Sequence, residues 1–182
     1  MTLAALMAEG GLRRVPLAEA PREALRRACA EDTDIWQIYP MSFFGDAFDP
    51  AFDKCLRPGS EGFAAIIGDE LVGMSSYLDI DEKHKSVQIG RTYFVPRLRG
   101  TGFNRRVKRL MLDRAFEAGF RRVEFKVDTR NARSMAAIAK LGAVHEGTLR
   151  QNLITWTGYV RDTAVYSILQ GEWPALRASW ES

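Results

Sequence analysis

One stretch constrains the fold more than any other: residues 87 to 104, VQIGRTYFVPRLRGTGFN. Its first half is rich in β-branched and aromatic residues and predicts a strand over residues 86 to 95. Pro96 stops that strand, because proline has no N–H to give to a ladder. Gly100 and Gly102 lack Cβ, so the backbone there can turn sharply and approach a ligand closely. A helix follows at once, from about Asn104 to Ala118, with Phe103, Val107, Leu110, Met111, Ala115 and Ala118 recurring on one face. Leu112 and Phe116 fall outside that stripe and predict contact with a second neighbour. The first N–H groups of such a helix have no helical partner, and they sit at the positive end of its dipole. The loop is therefore expected to hold an anion, the pyrophosphate of a nucleotide-like cofactor.

The helix leads to a second strand, Arg121 to Val127, in which Val123, Phe125 and Val127 alternate with Arg122, Glu124 and Lys126. Strand, helix and strand must form a parallel crossover. Elsewhere the signals are antiparallel. Phe63 to Ile67 and Leu71 to Ile80 predict a hairpin turning at Gly68-Asp69, and a polar turn at Asp81 to Lys85 returns the chain. Gly11 to Leu17 predicts a first strand, and Glu19 to Ala30 a helix with Pro21 in its first turn. Residues 32 to 58 are dense in aromatic rings but broken by Pro40, Gly45, Pro50 and Pro58, with a short helix expected from Pro50 to Leu56. A helix from Asn131 to Leu141 ends at Gly142, followed by strands at Ala143 to Asn152 and Tyr159 to Leu169 and a short helix at Trp173 to Trp180. The expected architecture is one α/β domain over residues 1–182. It has a mixed, mostly antiparallel sheet of about seven strands with helices on both faces.

Charge adds a second constraint. The net charge is only +3, yet residues 97 to 133 hold 12 Lys/Arg against 4 Asp/Glu. A basic concentration around the glycine loop favours an anionic partner. A nucleic-acid partner would also fit it, but coincidence with the loop points to a phosphate ligand and to no nucleic acid. No apolar run approaches the roughly 20 residues of a membrane helix, so no membrane role is expected. Met1 to Gly11 lacks a basic n-region and a long apolar core and is not read as an export signal. Cys29 and Cys55 match no metal or redox spacing and read as reduced, partly buried thiols of a cytoplasmic protein.

The loop is neither a Walker A sequence nor a dinucleotide fingerprint; what stands here is Arg97-x-x-Gly100-x-Gly102. Downstream lies Asn131-Ala132-Arg133-Ser134, where Asn131 can cap a helix or reach a ligand between two parallel strands. Then follow Leu141-Gly142-Ala143, Glu146-Gly147-Thr148-Leu149-Arg150 and Arg161-Asp162. Together these motifs, with Thr101-Gly102-Phe103-Asn104, make the segment from Val87 to Leu169 resemble the GNAT superfamily of acyl-CoA N-acyltransferases, most closely its RimJ/RimL-type branch.

The resemblance implies a GNAT-like sheet with a splayed parallel strand pair, acetyl-CoA as cofactor, and transfer of acetyl to a primary amine by direct attack. The acceptor would be a peptide or protein N-terminus or an amine-bearing small molecule, and the enzyme is expected to associate as a homodimer. Backbone N–H groups of Arg99, Gly100, Thr101, Gly102, Phe103 and Asn104 would bind the pyrophosphate, with Arg97, Arg105, Arg106 or Arg109 meeting phosphate charge. The pantetheine would run beside Tyr93, Phe94 and Val95, near Asn131. Many relatives carry a tyrosine as general acid where this chain has Ile138; Ser134 is the candidate here. The base is open between Asp128, Glu146, His84, His145 and a water chain, because Gln88 stands where some relatives have glutamate. Trp36, Tyr39, Phe43, Arg91, Trp156 and Tyr159 are the candidates around the acceptor. Gln88 and Ile138 also leave open a CoA-binding module that has lost catalysis.

Overall fold

A computed structural model of the protein describes Leu3 and residues 7–180. Most of the Met1 to Gly11 reading lies outside the described residues. The strands are β1 (Met7–Glu9), β2 (Leu12–Pro16), β3 (Ser60–Ile67), β4 (Glu70–Asp81), β5 (Ser86–Phe94), β6 (Arg122–Asp128), β7 (Val144–Ile154) and β8 (Val160–Leu169). They form one sheet in the order β1-β2-β3-β4-β5-β6-β8-β7. Every neighbouring pair is antiparallel except β5 and β6. Each expected strand is present; the eighth is β1, a three-residue edge that folds back on β2.

The helices are α1 (Arg22–Cys29), α2 (Phe48–Cys55), α3 (Phe103–Glu117), α4 (Ala132–Lys140) and α5 (Trp173–Ser179). The helix expected from Glu19 begins only at Arg22, because Ala20, preceding Pro21, is extended with ψ 144°. Leu17–Glu19 forms a separate 3-10 turn. The aromatic segment contains two more such turns, Asp34–Ile38 and Gly45–Ala47.

Strand alternation sends neighbouring side chains to opposite faces. Tyr93 donates its hydroxyl to the Ala28 carbonyl at 2.8 Å, so its face of the sheet meets α1. Tyr77 donates to the Met111 carbonyl at 2.9 Å, so its face meets α3. Leu112 and Phe116 are buried as well as the main stripe of α3, and Phe116 packs 6.0 Å from the Trp173 ring of α5. That helix is the second neighbour which the sequence pattern called for.

Part of the basic segment is paired with acids from outside it. Arg97 meets Glu31 and Glu70, Arg99 meets Asp32, Arg109 meets Glu9, Arg122 meets Glu146 and Lys126 meets Asp79. Among the described residues no helix is long and apolar enough to cross a membrane. Cys29 and Cys55 are both buried free thiols, deeper than expected, and burial raises the pKa of each.

Candidate active site

The parallel pair opens into a wedge. β5 and β6 are registered at Ser86↔Arg122, Val87↔Val123 and Gln88↔Glu124, and pairing then stops. Beyond it β5 stays with β4 as far as Phe94, while β6 stays with β8 as far as Asp128. The facing edge of β5 is thus left with backbone groups that an extended ligand can pair with. A bulge interrupts the ladder on the opposite edge of β5, against β4. Met74 pairs with Tyr93 and Ser76 with Gly90, so Arg91 and Thr92 together oppose Ser75. Arg91 carries the strain of that bulge, with φ 48°.

The glycine loop lies at the C-terminal end of β5, beyond a 3-10 turn at Pro96–Leu98. Gly100 and Gly102 have φ 77° and 83°, and no atom lies within 4 Å of where a Cβ would stand at either. Gly102 is the N-cap of α3 and offers no side-chain acceptor, so the first-turn donors of Asn104 and Arg105 remain for a ligand. Thr101 turns its hydroxyl inward to the Leu98 carbonyl, 2.8 Å away, which fixes the loop. Beside Gly102, a cavity of about 180 Å³ is lined by Arg105, Arg106, Arg109 and Trp180. Free donors, a positive helix end and three arginines suit a diphosphate. The fit with the acidic part of CoA therefore rests on this chain's own loop. Phosphate binding by the arginines would draw on side chains already engaged: Arg106 donates to the Glu9 and Gly10 carbonyls, and Arg105 stacks over Trp180.

On the other side of the wedge, Asn131 caps α4, its Oδ1 accepting the Ser134 N–H at 3.0 Å. Its amide N–H groups remain for a ligand. Ser134 is half-buried, and its hydroxyl makes no hydrogen bond among the described residues. Ile138 is buried and serves packing.

The acceptor candidates divide. Trp156 and, through Arg130, Tyr159 of the β7–β8 hairpin meet the Asp34–Ile38 turn, which Tyr39 follows. Trp156 donates Nε1 to the Trp36 carbonyl at 2.8 Å, and the Arg130 guanidinium lies 3.5 Å from the centre of the Tyr159 ring. Tyr39 donates to the Thr92 carbonyl on the bulge, and burial pushes its pKa up to about 12. Trp36 and Phe43, expected here too, are instead core residues, each 1% exposed; Trp36 packs on Tyr93 and donates to the Cys29 carbonyl. Arg91 reaches Ser60 of β3.

Two of the base candidates are held as charged carboxylates. Glu146 accepts both guanidinium N–H groups of Arg122 and the Ser167 hydroxyl, which lower its pKa to about 2. Asp128 is buried, which opposes ionisation, but Arg130 at 2.7 Å and Arg161 at 4.0 Å more than offset this and its pKa falls. His84 is bonded to Asp81 in the exposed β4–β5 turn. His145 sits on β7, separated from β5 by β6 and β8. The sequence reading missed Lys108, counted only as part of the basic segment. The available signal was its spacing: Lys108 precedes the buried Leu112 and Phe116 at four-residue intervals.

Comparison with known proteins agrees with this geometry. Residues 24–143 match the model of the acetyltransferase (GNAT) family. A solved structure from Chromobacterium violaceum, of a probable acetyltransferase of the GNAT family, is 31% identical with a TM-score of 0.87, covering 94% of this chain and 89% of that one. A GCN5-related N-acetyltransferase from Brucella melitensis is 26% identical with a TM-score of 0.86, covering 98% of this chain and 84% of that one. A variant of the spermidine N-acetyltransferase SpeG from Vibrio cholerae shares the fold at 20% identity and a TM-score of 0.70, over 91% of this chain and 97% of that one. No curated protein sequence matches the chain. A family match spanning well over half the residues, on a sheet that splays where a cofactor would enter, makes the chain a member of the GNAT acetyltransferase family.

Proposed function

We propose that the protein transfers the acetyl group of acetyl-CoA to a primary amine, as a RimJ/RimL-type member of its family. The observation that carries this reading is the wedge between β5 and β6, with the donor-rich N-terminus of α3 at its mouth. Bound acetyl-CoA supplies an activated acyl group, so the chain's task is to place an amine against it and manage protons. The N–H groups of Gly100, Gly102, Asn104 and Arg105 hold the diphosphate, whereas those of Arg99, Thr101 and Phe103, expected to share in this, are already given to the Pro96 carbonyl, the Leu98 carbonyl and the Thr101 hydroxyl. The backbone at Tyr93 to Val95, where β5 has parted from β6, and the Asn131 amide align the pantetheine arm. Ser134 presents a hydroxyl to the departing sulfur. Tyr39, Trp156 and Tyr159 form the acceptor side. Proximity in such a cleft supplies much of the acceleration. The same reading makes the protein a cytoplasmic homodimer.

A free-thiol assay with acetyl-CoA across alkylamines, polyamines and short peptides tests the reading. Amine-dependent thiol release is expected. Release no faster than hydrolysis for every amine would contradict it, and CoA-induced stabilisation without transfer would instead identify a binding module.

A further inference from the structure

Lys108 is buried, yet its contacts are all neutral. Its Nζ bonds Thr92 Oγ1 and lies 3.4 Å from Ser75 Oγ and 5.9 Å from the centre of the Phe125 ring. The Ser75 and Thr92 hydroxyls are 2.7 Å apart. These partners come from β4, β5 and β6, which puts the amine at the point where the wedge opens. Phe125 is the first residue of β6 beyond the last parallel pair, and Thr92 belongs to the bulge.

Among the described residues no carboxylate faces this amine. On β6 the flanking residues of that face, Val123 and Val127, are apolar and buried. On β4 the next residue of that face is Tyr77, whose hydroxyl is committed to the Met111 carbonyl. On β5, Arg91 is turned to Ser60. On α3, Arg105 stacks on Trp180 and Arg109 binds Glu9 and Asp113. One turn before Lys108, Asn104 holds a buried Oδ1 without a hydrogen-bond partner. An ammonium here is poorly solvated and unpaired, and burial lowers its pKa to about 7. The hydroxyls around it can rotate to donate to a neutral amine as readily as they accept from an ammonium.

We propose that Lys108 takes up the proton released by the acceptor amine, relayed through the hydroxyl of half-buried Thr92. The inference rests on the amine-acetyltransferase reading. In the step, Thr92 Oγ1 receives one proton from the acceptor's ammonium as its own hydroxyl proton passes to Lys108 Nζ. The freed nitrogen lone pair forms the N–C bond while the C–S bond breaks, and a second amine proton goes to the departing sulfur. Lys108 then returns its proton to solvent by the same route. Lys108 acts through Thr92 and is a positioning residue; Thr92 is the group that meets the acceptor.

The test follows kcat and KM against pH for the wild type, Lys108→Arg, Lys108→Met and Thr92→Val, with an alkylamine acceptor and unfolding checked for each. The wild type is expected to show kcat rising with an apparent pKa near 7. In Lys108→Arg, whose guanidinium stays charged, and in Lys108→Met, that limb is expected to vanish and kcat to fall about 10²–10⁴-fold. KM should change little, and Thr92→Val should behave in the same way. A folded Lys108→Arg or Lys108→Met that keeps the limb overturns the proposal. If the variants do not fold, titration of the wild-type Nζ by NMR decides: a midpoint near 7 supports the proposal, and an ammonium that persists to pH 10 overturns it. A wild type that is folded but transfers acetyl to no amine overturns the acetyltransferase reading, and this proposal with it. A pH limb retained by active variants overturns only this one.

Discussion

At the residue scale, the cleft is built from side chains that hold structure with one atom and leave another for chemistry. Asn131 spends Oδ1 on the Ser134 N–H and keeps its amide donors. Replacing Asn131 with Ala should cost about 1 kcal/mol of stability through the lost cap, read by urea denaturation, and should also weaken CoA binding. Ser134→Ala should leave that cap in place, because the bond uses the backbone N–H, while lowering kcat. Lys108 makes a separate prediction about stability. Its folded pKa lies near 7, below the ordinary lysine value of 10.5. Between those limits the unfolded chain binds the proton that the folded chain does not, so stability rises with pH. Denaturation of the wild type and Lys108→Met across that window should show the wild type gaining relative to the variant. A constant difference would mean that Lys108 stays charged when folded.

At the element scale, the loop and the sheet edge carry the consequences. Gly102 caps α3 with φ 83°, a conformation that costs an L-residue about 1–2 kcal/mol. Gly102→Ala should therefore lower the melting temperature and weaken CoA binding together. A polar tie holds the β6-β8-β7 edge, where Arg122 on β6 reaches across β8 to Glu146 on β7, joined by Ser167 of β8. Because the Glu146 pKa is lowered from 4.5 to about 2, its contribution is complete above about 4.5 and is lost as pH falls towards 2. The pair is partly exposed, so the effect is expected to stay below about 1 kcal/mol. Acid denaturation of Glu146→Gln beside the wild type would read it.

The whole molecule was legible in the sequence to a considerable depth. Periodicity located the expected strands, and the strand–loop–helix–strand order required the parallel pair. Residue boundaries slipped where proline acts on its neighbour, as at Ala20 and Pro21. The three-residue β1 lacked enough sequence to show a pattern. The site was less legible, because a residue's chemistry depends on partners that sequence spacing does not reveal. Trp36 and Phe43 look the same in sequence as Trp156, yet they lie in the core while Trp156 is half exposed. The low basicity of Glu146 comes from Arg122 and Ser167, which meet it from two other strands. The basic segment, taken alone, favours an anionic partner; folded, Arg97, Arg99, Arg109, Arg122 and Lys126 are held by acids from elsewhere in the chain.

The central claim is that the wedge and the α3 N-terminus bind the acetyl donor, with the loop grasping its diphosphate. Titration calorimetry comparing acetyl-CoA with acetyl-pantetheine, which lacks the diphosphate, tests it most directly. One acetyl-CoA per chain is expected, with acetyl-pantetheine binding at least about tenfold more weakly. Equal affinity for the two, or no binding of acetyl-CoA by the folded protein, would contradict it.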